Sequence, residues 1–527
     1  MTTTRTAWIA IVAAGLMLVA PALAEETAAP QGDDVARATA LLDEGKIDEA
    51  RPLFETALES DPENADAHVG IARIEIAYGE WDLAIDHLIP VLEKHPEHAS
   101  ANLYNGIALY YKALKAIDDQ KISGYVASLF SDAQASCEIA AKVDPENIEA
   151  YQYLGLVFYY QNDFAGAIEA FERGLKVKPD DAFSHFQIGE SYQVQSEWDS
   201  AIPHYKRAIE CEPQYAEAYR KLGLCEEFLK QLDAAGEAYG KAIEIAPGYF
   251  EPYKDLWRVY ADVEPEKGVA TLAAIAETHP DLYTLQWYLG HFKNKAGDSE
   301  GALAAFDKCL EISPVSTDVH LEKGRIHTQQ GDLVAATDEY WTGFHATKAA
   351  AEEQGAPFDI EKNKFFTALL DMTSSYGSQQ KFEPAEQLLL KLAEAAPSYG
   401  FVWSNLGLVY RDWGKDKESL DAYAKAAELL PYDAQVLNDY AVVLDYSFDR
   451  RDEAYVLYKK AVEISENGDA MENLARYYIL NGLYEEAVRI TERGLRIEPD
   501  RMMFIRYRDN ALRKLGRLGA DETAGTR

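Results

Sequence analysis

Cationic side chains recur in this sequence at intervals close to 34 residues. Arg258, His291 and Arg325 are separated by 33 and 34 residues, and Lys254 follows Arg220 by 34. Lys254 and Arg258 are four residues apart, a spacing that puts two side chains on the same face of a helix. If the chain repeats one structural element at this interval, these residues form a cationic row. Such a row could bind a carboxylate or an acidic protein segment.

The cationic row continues beyond these residues, and it also has acidic neighbours. Lys295 lies four residues after His291, and Asn294 adds a neutral hydrogen-bonding group. The acids that could neutralise the row from within are Glu227, Asp262 and Glu322. Exposed ion pairs of this kind contribute little to stability. The sequence therefore leaves two interpretations open, a surface that binds a partner and a set of internal ion pairs.

Tyrosines form a second repeated group. The doublet Tyr110 and Tyr111 recurs as Tyr159 and Tyr160, and Phe186 is a further candidate. Tyrosine at an interface contributes a large apolar area with a polar tip, as binding hot spots do. The alternative is core packing between neighbouring helices. Two adjacent residues of a helix point in different directions, which favours a surface role for the doublets.

The sequence contains none of the common catalytic motifs. It lacks the phosphate-binding G-x-x-x-x-G-K, the metalloprotease H-E-x-x-H and the hydrolase G-x-S-x-G patterns. His87, His95 and His98 lie close together, but no cysteine or acidic cluster completes a metal-ligand set, and we interpret them as turn and surface residues. We therefore expect no catalytic residue, no metal and no cofactor.

Charge restricts the class of partner. The chain has 51 basic and 89 acidic residues, a net charge of -38. A field of this sign repels phosphates, so nucleic acid is not an expected partner. The same argument disfavours an anionic lipid surface.

The elements that would position these residues follow from a period of 34, which is clearest between residues 147 and 214. One copy of the pattern consists of Tyr151, Leu154, Gly155, Phe158, Ala167, Phe171 and Pro179. The second copy, 34 residues later, consists of His185, Ile188, Gly189, Tyr192, Ala201, Tyr205 and Pro213. Spacings of three and four indicate amphipathic helices, and the polar stretch 161–163 separates two of them in one copy. Each copy is therefore a predicted helical hairpin.

This pattern resembles the tetratricopeptide repeat (TPR), from about Gln31 to about Arg501, in about thirteen copies. The resemblance implies an all-α fold, a right-handed superhelical solenoid of TPR helical hairpins. It also implies a concave groove, lined by the first helix of each hairpin, that holds an extended peptide or a helix of another protein. The cationic row and the tyrosine doublets map to that groove. Other members of the family bind a C-terminal carboxylate with lysine, arginine and asparagine, and here only Asn294 supplies the amide.

The predicted organisation departs from a regular array at the ends and at two insertions. Its segments are a signal peptide at 1–24, a linker at 25–30, an array of about nine repeats at 31–350 with a helical insertion near 112–127, a loop or hinge at 351–365, about four repeats at 366–501, a capping helix at 502–515 and a disordered tail at 516–527.

The N-terminus has the layout of a secretory signal. Arg5 precedes an apolar run from Ala7 to Ala20, and the small residues Ala22 and Ala24 follow Pro21. This order predicts cleavage after Ala24 and export, with the periplasm as the expected location and the extracellular space as the alternative. An uncleaved anchor is the alternative for the segment itself. No later apolar run is long enough to span a membrane.

These observations predict a non-catalytic scaffold in the cell envelope that binds a partner protein or peptide in the concave groove, with an acidic segment as one candidate. Two alternatives remain: an accessory or regulatory subunit of an envelope polysaccharide or secretion machine, and a self-assembling structural protein.

Overall fold

The computed structural model describes residues 34–517. The predicted signal peptide and linker lie outside the described residues, as does the predicted tail beyond residue 517. The chain divides into two compact units, Met1–Gly297 (unit 1) and Asp298–Arg527 (unit 2).

The described part of unit 1 consists of fifteen α-helices and the short connections between them. They are α1 (Asp34–Asp43), α2 (Ile47–Ser60), α3 (Ala65–Tyr78), α4 (Trp81–Lys94), α5 (Ala99–Asp118), α6 (Ser123–Val143), α7 (Ile148–Tyr160), α8 (Phe164–Val177), α9 (Ala182–Val194), α10 (Trp198–Cys211), α11 (Ala216–Phe228), α12 (Leu232–Ile245), α13 (Glu251–Tyr260), α14 (Pro265–Thr278) and α15 (Tyr283–Lys295).

The described part of unit 2 consists of twelve α-helices and one short 3-10 turn, Ile360–Lys362. The helices are α16 (Ser299–Ile312), α17 (Thr317–Gln330), α18 (Leu333–Glu353), α19 (Lys364–Ser378), α20 (Phe382–Ala395), α21 (Gly400–Trp413), α22 (Asp416–Leu429), α23 (Ala434–Tyr446), α24 (Arg451–Ile464), α25 (Gly468–Leu480), α26 (Tyr484–Ile497) and α27 (Met502–Lys514). No strand occurs among residues 34–517 in either unit, so the all-α prediction is confirmed.

Consecutive helices pair as hairpins because a small residue on the first helix faces an aromatic residue on the second. A Cβ atom on Gly155 would lie 2.6 Å from the ring of Phe171. Gly189 faces Tyr205 in the same way, with a distance of 2.8 Å. Both aromatic side chains are fully buried. The 34-residue pattern thus encodes close contacts between helices, in which a small side chain leaves room for a large one.

Most hairpin turns contain a residue in the left-handed backbone region, and the turn between α13 and α14 is an exception. Gly331 and Gly414 have φ values of 78°, and glycine adopts this conformation without steric cost. Asn162, Ser196 and Lys230 take the same place in other hairpins, with φ values of 64°, 62° and 63°. All five stand 14 residues after the start of their first helix. The turn geometry is therefore shared even where glycine is absent.

The hairpin of α5 and α6 is longer than its neighbours. These helices have 20 and 21 residues, against 13 and 14 in α7 and α8. Each is therefore seven residues longer, which is close to two helical turns. An insertion of seven residues therefore leaves the apolar face of each helix pointing in nearly the same direction as before.

The segment 351–365, predicted as a loop or hinge, is partly helical. Helix α18 continues to Glu353, since alanines and glutamates favour a helix there. Phe358 and Ile360 pack against the core of unit 2. Asn363 caps α19 by accepting from two backbone N–H groups, and its amide donates to Thr347 at 3.0 Å. The boundary between the two units follows Gly297.

Helix α27 ends the described chain and covers the last hairpin. Phe504 and Ala511 are fully buried, and a Cβ atom on Gly494 would lie 2.5 Å from the Phe504 ring. No helix within residues 34–517 is long and apolar enough to cross a membrane.

Candidate partner-binding surfaces

Arg220, the first residue of the predicted cationic row, is neutralised within unit 1. Its Nε donates to Asp255 Oδ2 at 2.7 Å, and Asp255 is only 4% exposed. Its Nη1 donates to the Tyr249 hydroxyl at 3.3 Å and lies 3.6 Å from Glu217 Oε1. Burial raises the pKa of the Glu217 carboxyl, which accepts a hydrogen bond from Tyr249. Arg220 is therefore part of a half-buried polar network on α11 and α13.

Arg258 is neutralised by two acids, Glu227 of the neighbouring first helix α11 and Asp255 of its own helix α13. It donates from Nε and Nη2 to the two oxygens of Glu227, both at 2.6 Å, and lies 3.0 Å from Asp255. Burial opposes ionisation of Glu227, but hydrogen bonds from Arg258 and Tyr239 outweigh it and lower the pKa of that carboxyl. This bidentate geometry is the strong form of the arginine–carboxylate pair. Half of the Arg258 side chain nevertheless remains exposed.

The other predicted groove residues in unit 1, two lysines and one asparagine, occupy different environments. Lys254 is exposed, and its ammonium lies 4.4 Å from the centre of the Phe250 ring. Lys295 pairs with Asp262 at 2.7 Å. Asn294 lies half-buried near the end of α15.

His291 and Arg325 also have close neighbours. The His291 ring contacts Trp257 and Trp287 edge-on, with ring centres 5.7 and 4.6 Å apart. Arg325 belongs to unit 2, where it pairs with Glu322 at 2.6 Å. Of the two interpretations of the cationic row, the structure therefore shows internal pairing for Arg220, Arg258, Lys295 and Arg325. An acidic segment would have to displace these contacts.

The first tyrosine doublet is buried, in contrast to its predicted place in an exposed groove. Tyr110 packs toward Phe130 on α6, with ring centres 6.3 Å apart, and burial raises its pKa. Tyr111 packs toward Trp81 on α4 at 5.4 Å, and its hydroxyl lies 3.3 Å from that of Tyr153. A first helix has neighbours on several sides, so two adjacent residues can both be buried. The prediction treated the core as lying on one side only.

The other aromatic candidates are also packing residues. The Tyr160 ring stacks on Phe130 with centres 5.9 Å apart, and both Tyr159 and Tyr160 are half-buried. Phe186 is fully buried and stacks on Tyr215 at 4.9 Å. Phe186 therefore stabilises the hairpins and is not accessible to a partner.

Unit 2 contains a row of polar side chains that the sequence analysis did not single out. Its members stand at the same repeat position of four first helices, α19, α21, α23 and α25, at intervals of 34 residues. They are Asp371, Asn405, Asp439 and Asn473. We refer to them as the amide–carboxylate row. The 34-residue interval between these polar residues could have revealed the row. Residues 34 apart occupy the same position on successive first helices, so polar residues at this interval lie on one surface.

Asn405 is the member of this row that is best placed for binding. It forms no side-chain hydrogen bond within residues 34–517, and it is half-buried. Phe401 and Leu408 stand four residues before it and three after it on α21, so the three side chains lie along one helical face. Both apolar side chains are exposed, by 42% and 38%. An amide that has no hydrogen-bond partner in the described part of the chain thus lies between two exposed apolar side chains. We call these three residues the α21 strip.

The rest of the row is connected by hydrogen bonds that orient it. Gln435 donates to Asp439 Oδ1 at 2.9 Å, and burial raises the pKa of the Asp439 carboxyl. Asn473 donates to Asn438 Oδ1 at 3.1 Å, which links α25 to α23. Asp371 is exposed and lies in no ion pair within the described chain. The row therefore retains hydrogen-bonding capacity, most of it as acceptors.

Comparisons with known proteins agree with this architecture. Four family models described as tetratricopeptide repeat match residues 41–105, 148–181, 186–250 and 402–432. The BBSome complex member bbs-4 of Caenorhabditis elegans is 24% identical over 212 residues, which cover 36% of this chain and 46% of that protein. The match thus spans about half the length of this curated relative.

Solved structures of similar hairpin arrays also match. A thermophilic TPR protein of Thermus thermophilus is 19% identical with a TM-score of 0.32, and the match covers 37% of this chain and 97% of that one. For pilF of Pseudomonas aeruginosa the values are 20%, 0.36, 42% and 94%. The helical hairpins, their shared glycine-to-aromatic contacts and the four family matches lead to one conclusion: this chain is a tetratricopeptide-repeat protein, with a fold that generally serves as a non-catalytic scaffold for protein–protein interaction.

Proposed function

We propose that this protein is a non-catalytic scaffold that binds an extended segment of a partner protein across the first helices of unit 2. The observation that supports the proposal is the α21 strip, in which Asn405 has no hydrogen-bond partner within the described residues and lies between the exposed Phe401 and Leu408. A surface amide flanked by apolar groups offers one hydrogen-bonding point for a peptide backbone and two contacts for its side chains.

The amide of Asn405 suits a peptide bond because it contains one acceptor oxygen and two donor hydrogens. It can accept from a backbone N–H and donate to a backbone C=O of the same segment. Asp439 and Asn473 each retain an acceptor oxygen, so they suit further N–H groups. Recognition through the backbone tolerates many sequences, while Phe401 and Leu408 select for apolar side chains.

We expect the spacing of the row to match an extended chain. Neighbouring helices pack with axes about 8–10 Å apart, and an extended segment advances about 3.3 Å per residue. One step of the row therefore corresponds to about three residues of the partner. A segment that crosses α19, α21, α23 and α25 needs about ten residues, with a backbone contact at every third residue.

Charge in unit 2 favours a neutral or basic segment. The ionisable members of the row are Asp371 and Asp439, while the nearby cations are engaged: Arg411 pairs with Asp412, Arg476 pairs with Asp445, and Arg501 pairs with Asp469 and Glu472. An acidic segment would be repelled by the exposed carboxylate of Asp371. For this surface, the proposal therefore differs from the acidic partner that the cationic row suggested.

The chain is first used to capture a binding protein from an envelope extract. Ten-residue segments of the captured protein are then tested for binding on a peptide array. The test variant is Phe401→Ser/Asn405→Ala/Leu408→Ser. The matched control is Leu390→Ser/Val456→Ser, which removes two exposed apolar side chains from the second helices α20 and α24. We expect at least tenfold weaker binding for the test variant and unchanged binding for the control.

N-methylation of the bound peptide separates backbone recognition from apolar adhesion. Methylation removes the N–H donor of a residue. Three peptides are compared, each methylated at every third residue and each starting one residue later than the last. Only the peptide whose methylated residues face the row should fail to bind. Equal affinity of all three peptides, or retention by the test variant, would exclude this surface as the recognition site.

We also propose that the protein acts in the cell envelope after export. The support is the order of Arg5, the apolar run to Ala20 and the small residues Ala22 and Ala24. Cell fractionation and N-terminal sequencing test this proposal. A mature protein that begins at Glu25 in the periplasmic fraction is the expected result, and an intact N-terminus in the cytoplasm would refute it.

A further inference from the structure

The last described segment of this acidic chain has the opposite charge. Residues 502–517 contain five basic and one acidic residue, a net charge of +4. The chain as a whole has a net charge of -38. A local reversal of this size creates an attractive surface for an acidic partner, because salt screens the more distant charges beyond about 8–10 Å.

Most of these basic groups are accessible. Arg506, Arg513 and Lys514 are exposed and form no ion pair within residues 34–517. Arg508 and Arg517 are paired, with Asp509 and Glu485 respectively. Three cations on a helix of 13 residues therefore lack a counter-charge in the described part of the chain.

The position of α27 in the repeat explains why its outer side is uncovered. Met502 stands 34 residues after Gly468, so α27 takes the place of a first helix for one more hairpin. Within the described residues, no second helix follows to pack against it. Met502 is 57% exposed beside the basic side chains. The helix thus offers an apolar and cationic face of the kind that a further helical hairpin would normally cover.

The chain itself supplies an acidic hairpin of the complementary kind. Residues 34–66, which contain α1 and α2, have ten acidic and three basic residues, a net charge of -7. Asp48, Glu55 and Glu59 lie along one face of α2, are exposed and form no ion pair within the described chain. The first and last hairpin elements that the structure describes are thus opposite in charge.

We propose that α27 of one molecule docks on the acidic α1–α2 hairpin of a second molecule. The contact joins two different surfaces, so it is heterologous and can be repeated from one molecule to the next. It does not involve the α21 strip, and it is independent of peptide binding there. Because the attraction is between charges, the association strengthens as ionic strength falls.

Two charge-reversed variants test the proposal in the full chain by sedimentation velocity at low and high salt. Variant C is Arg506→Glu/Arg513→Glu/Lys514→Glu, and variant N is Asp48→Lys/Glu55→Lys/Glu59→Lys. We expect the wild type to associate at low salt and to dissociate at about 0.5 M salt, where the screening length falls to about 4 Å. Each variant alone should associate at least tenfold more weakly than the wild type.

The mixture of the two variants is the decisive measurement. Variant C changes the net charge of residues 502–517 from +4 to -2, and variant N changes that of residues 34–66 from -7 to -1, so each variant lacks one partner of the pair. The mixture combines the unchanged α27 of variant N with the unchanged α1–α2 hairpin of variant C, and it should associate at low salt. A control variant, Lys348→Glu/Lys391→Glu/Lys417→Glu, makes the same charge change at lysines of unit 2 that are exposed and form no ion pair within residues 34–517, and it should behave as the wild type.

Three results would overturn the proposal: a monomeric wild type at tens of micromolar protein and low salt, association that persists in variant C, or a mixture that does not associate. Binding of α27 to polyglutamate or to anionic vesicles, without association between copies of the chain, would overturn it too and assign the basic face to a different partner.

Discussion

The hydroxyl of Tyr253 donates a hydrogen bond of 2.9 Å to the carbonyl oxygen of Pro247, six residues earlier. The same contact recurs at the fourth position of other first helices, with chemically different side chains. The pairs are His68 with Pro62, Asn102 with Pro96, His185 with Pro179, Gln286 with Pro280 and Trp403 with Pro397. Five residue types thus satisfy one backbone carbonyl where the chain leaves a second helix.

Removal of this contact should destabilise the hairpin. Tyr253→Phe leaves the Pro247 carbonyl without its partner while keeping the buried ring, at a cost of about 1 kcal/mol. Tyr219→Phe is the matched control, since Tyr219 has the same repeat position and its hydroxyl makes no hydrogen bond within the described residues. Amide hydrogen exchange in α13 measures the local loss, and equal effects of the two substitutions would contradict the role of the hydroxyl.

Gly155→Ala should be destabilising by about 1–3 kcal/mol, because the added Cβ would lie 2.6 Å from the Phe171 ring. Gly377→Ala tests the reverse case, since no atom lies within 4 Å of its Cβ position and it stands in the last turn of α19. Alanine should stabilise this position by about 0.5 kcal/mol, the lower end of the gain for a helix interior. Thermal unfolding midpoints that move in opposite directions confirm the contact as the cause.

Arg220→Met and Arg325→Met should differ in their effect on stability. Loss of Arg220 removes a partner of the buried Asp255, and breaking a buried pair costs about 3–5 kcal/mol. Arg325 is 57% exposed, and exposed pairs contribute about 0–1 kcal/mol. Urea unfolding of each variant compares the two losses. Similar losses would indicate that Asp255 is held by Arg258 alone.

Two half-buried histidines should make stability depend on pH. Burial and the adjacent His68 lower the pKa of His87, although Glu75 and Asp86 oppose this shift and Arg51 adds to it. A histidine with a lowered pKa binds fewer protons when folded than when unfolded. Its contribution is therefore complete above the unfolded pKa of about 6.5 and is lost as the pH falls through that value toward the folded pKa.

Burial and His185 lower the pKa of His204 in the same way. The double variant His87→Gln/His204→Gln should accordingly lose less stability than the wild type between pH 7 and pH 5. Thermal midpoints across this range measure the difference. Parallel pH profiles for both proteins would show that neither histidine is responsible.

The sequence predicted the helices well because apolar residues set their period. The first helices α7, α9 and α11 begin at Ile148, Ala182 and Ala216, which are 34 residues apart as the period predicts. Ion pairing was harder to predict because partners are distant in sequence. Arg258 pairs with Glu227, 31 residues earlier, and Arg476 pairs with Asp445 at the same separation. A basic residue 31 positions after an acidic residue, three fewer than the 34-residue period, therefore predicts an ion pair between neighbouring first helices.

Burial of the tyrosines could not be deduced from helical spacing alone. The lengthened hairpin of α5 and α6 supplies Phe130, which covers Tyr110 and Tyr160, and this contact depends on the length of α6. Among the candidate residues for binding, Asn405 was missed because an asparagine on a polar helical face is unremarkable until the side chains around it are known to be exposed.

The seven-residue extension of α5 and α6 shows how a single hairpin of a repeat protein can be lengthened without a change in its packing. Seven residues make about 1.9 turns and lengthen a helix by about 10 Å, so the hairpin tip moves outward while the packed base keeps its orientation. Lengthening both helices of the α9–α10 hairpin by seven residues should accordingly preserve folding. An increment of five, about 1.4 turns, would rotate the added apolar residues to the solvent side, so it should reduce solubility.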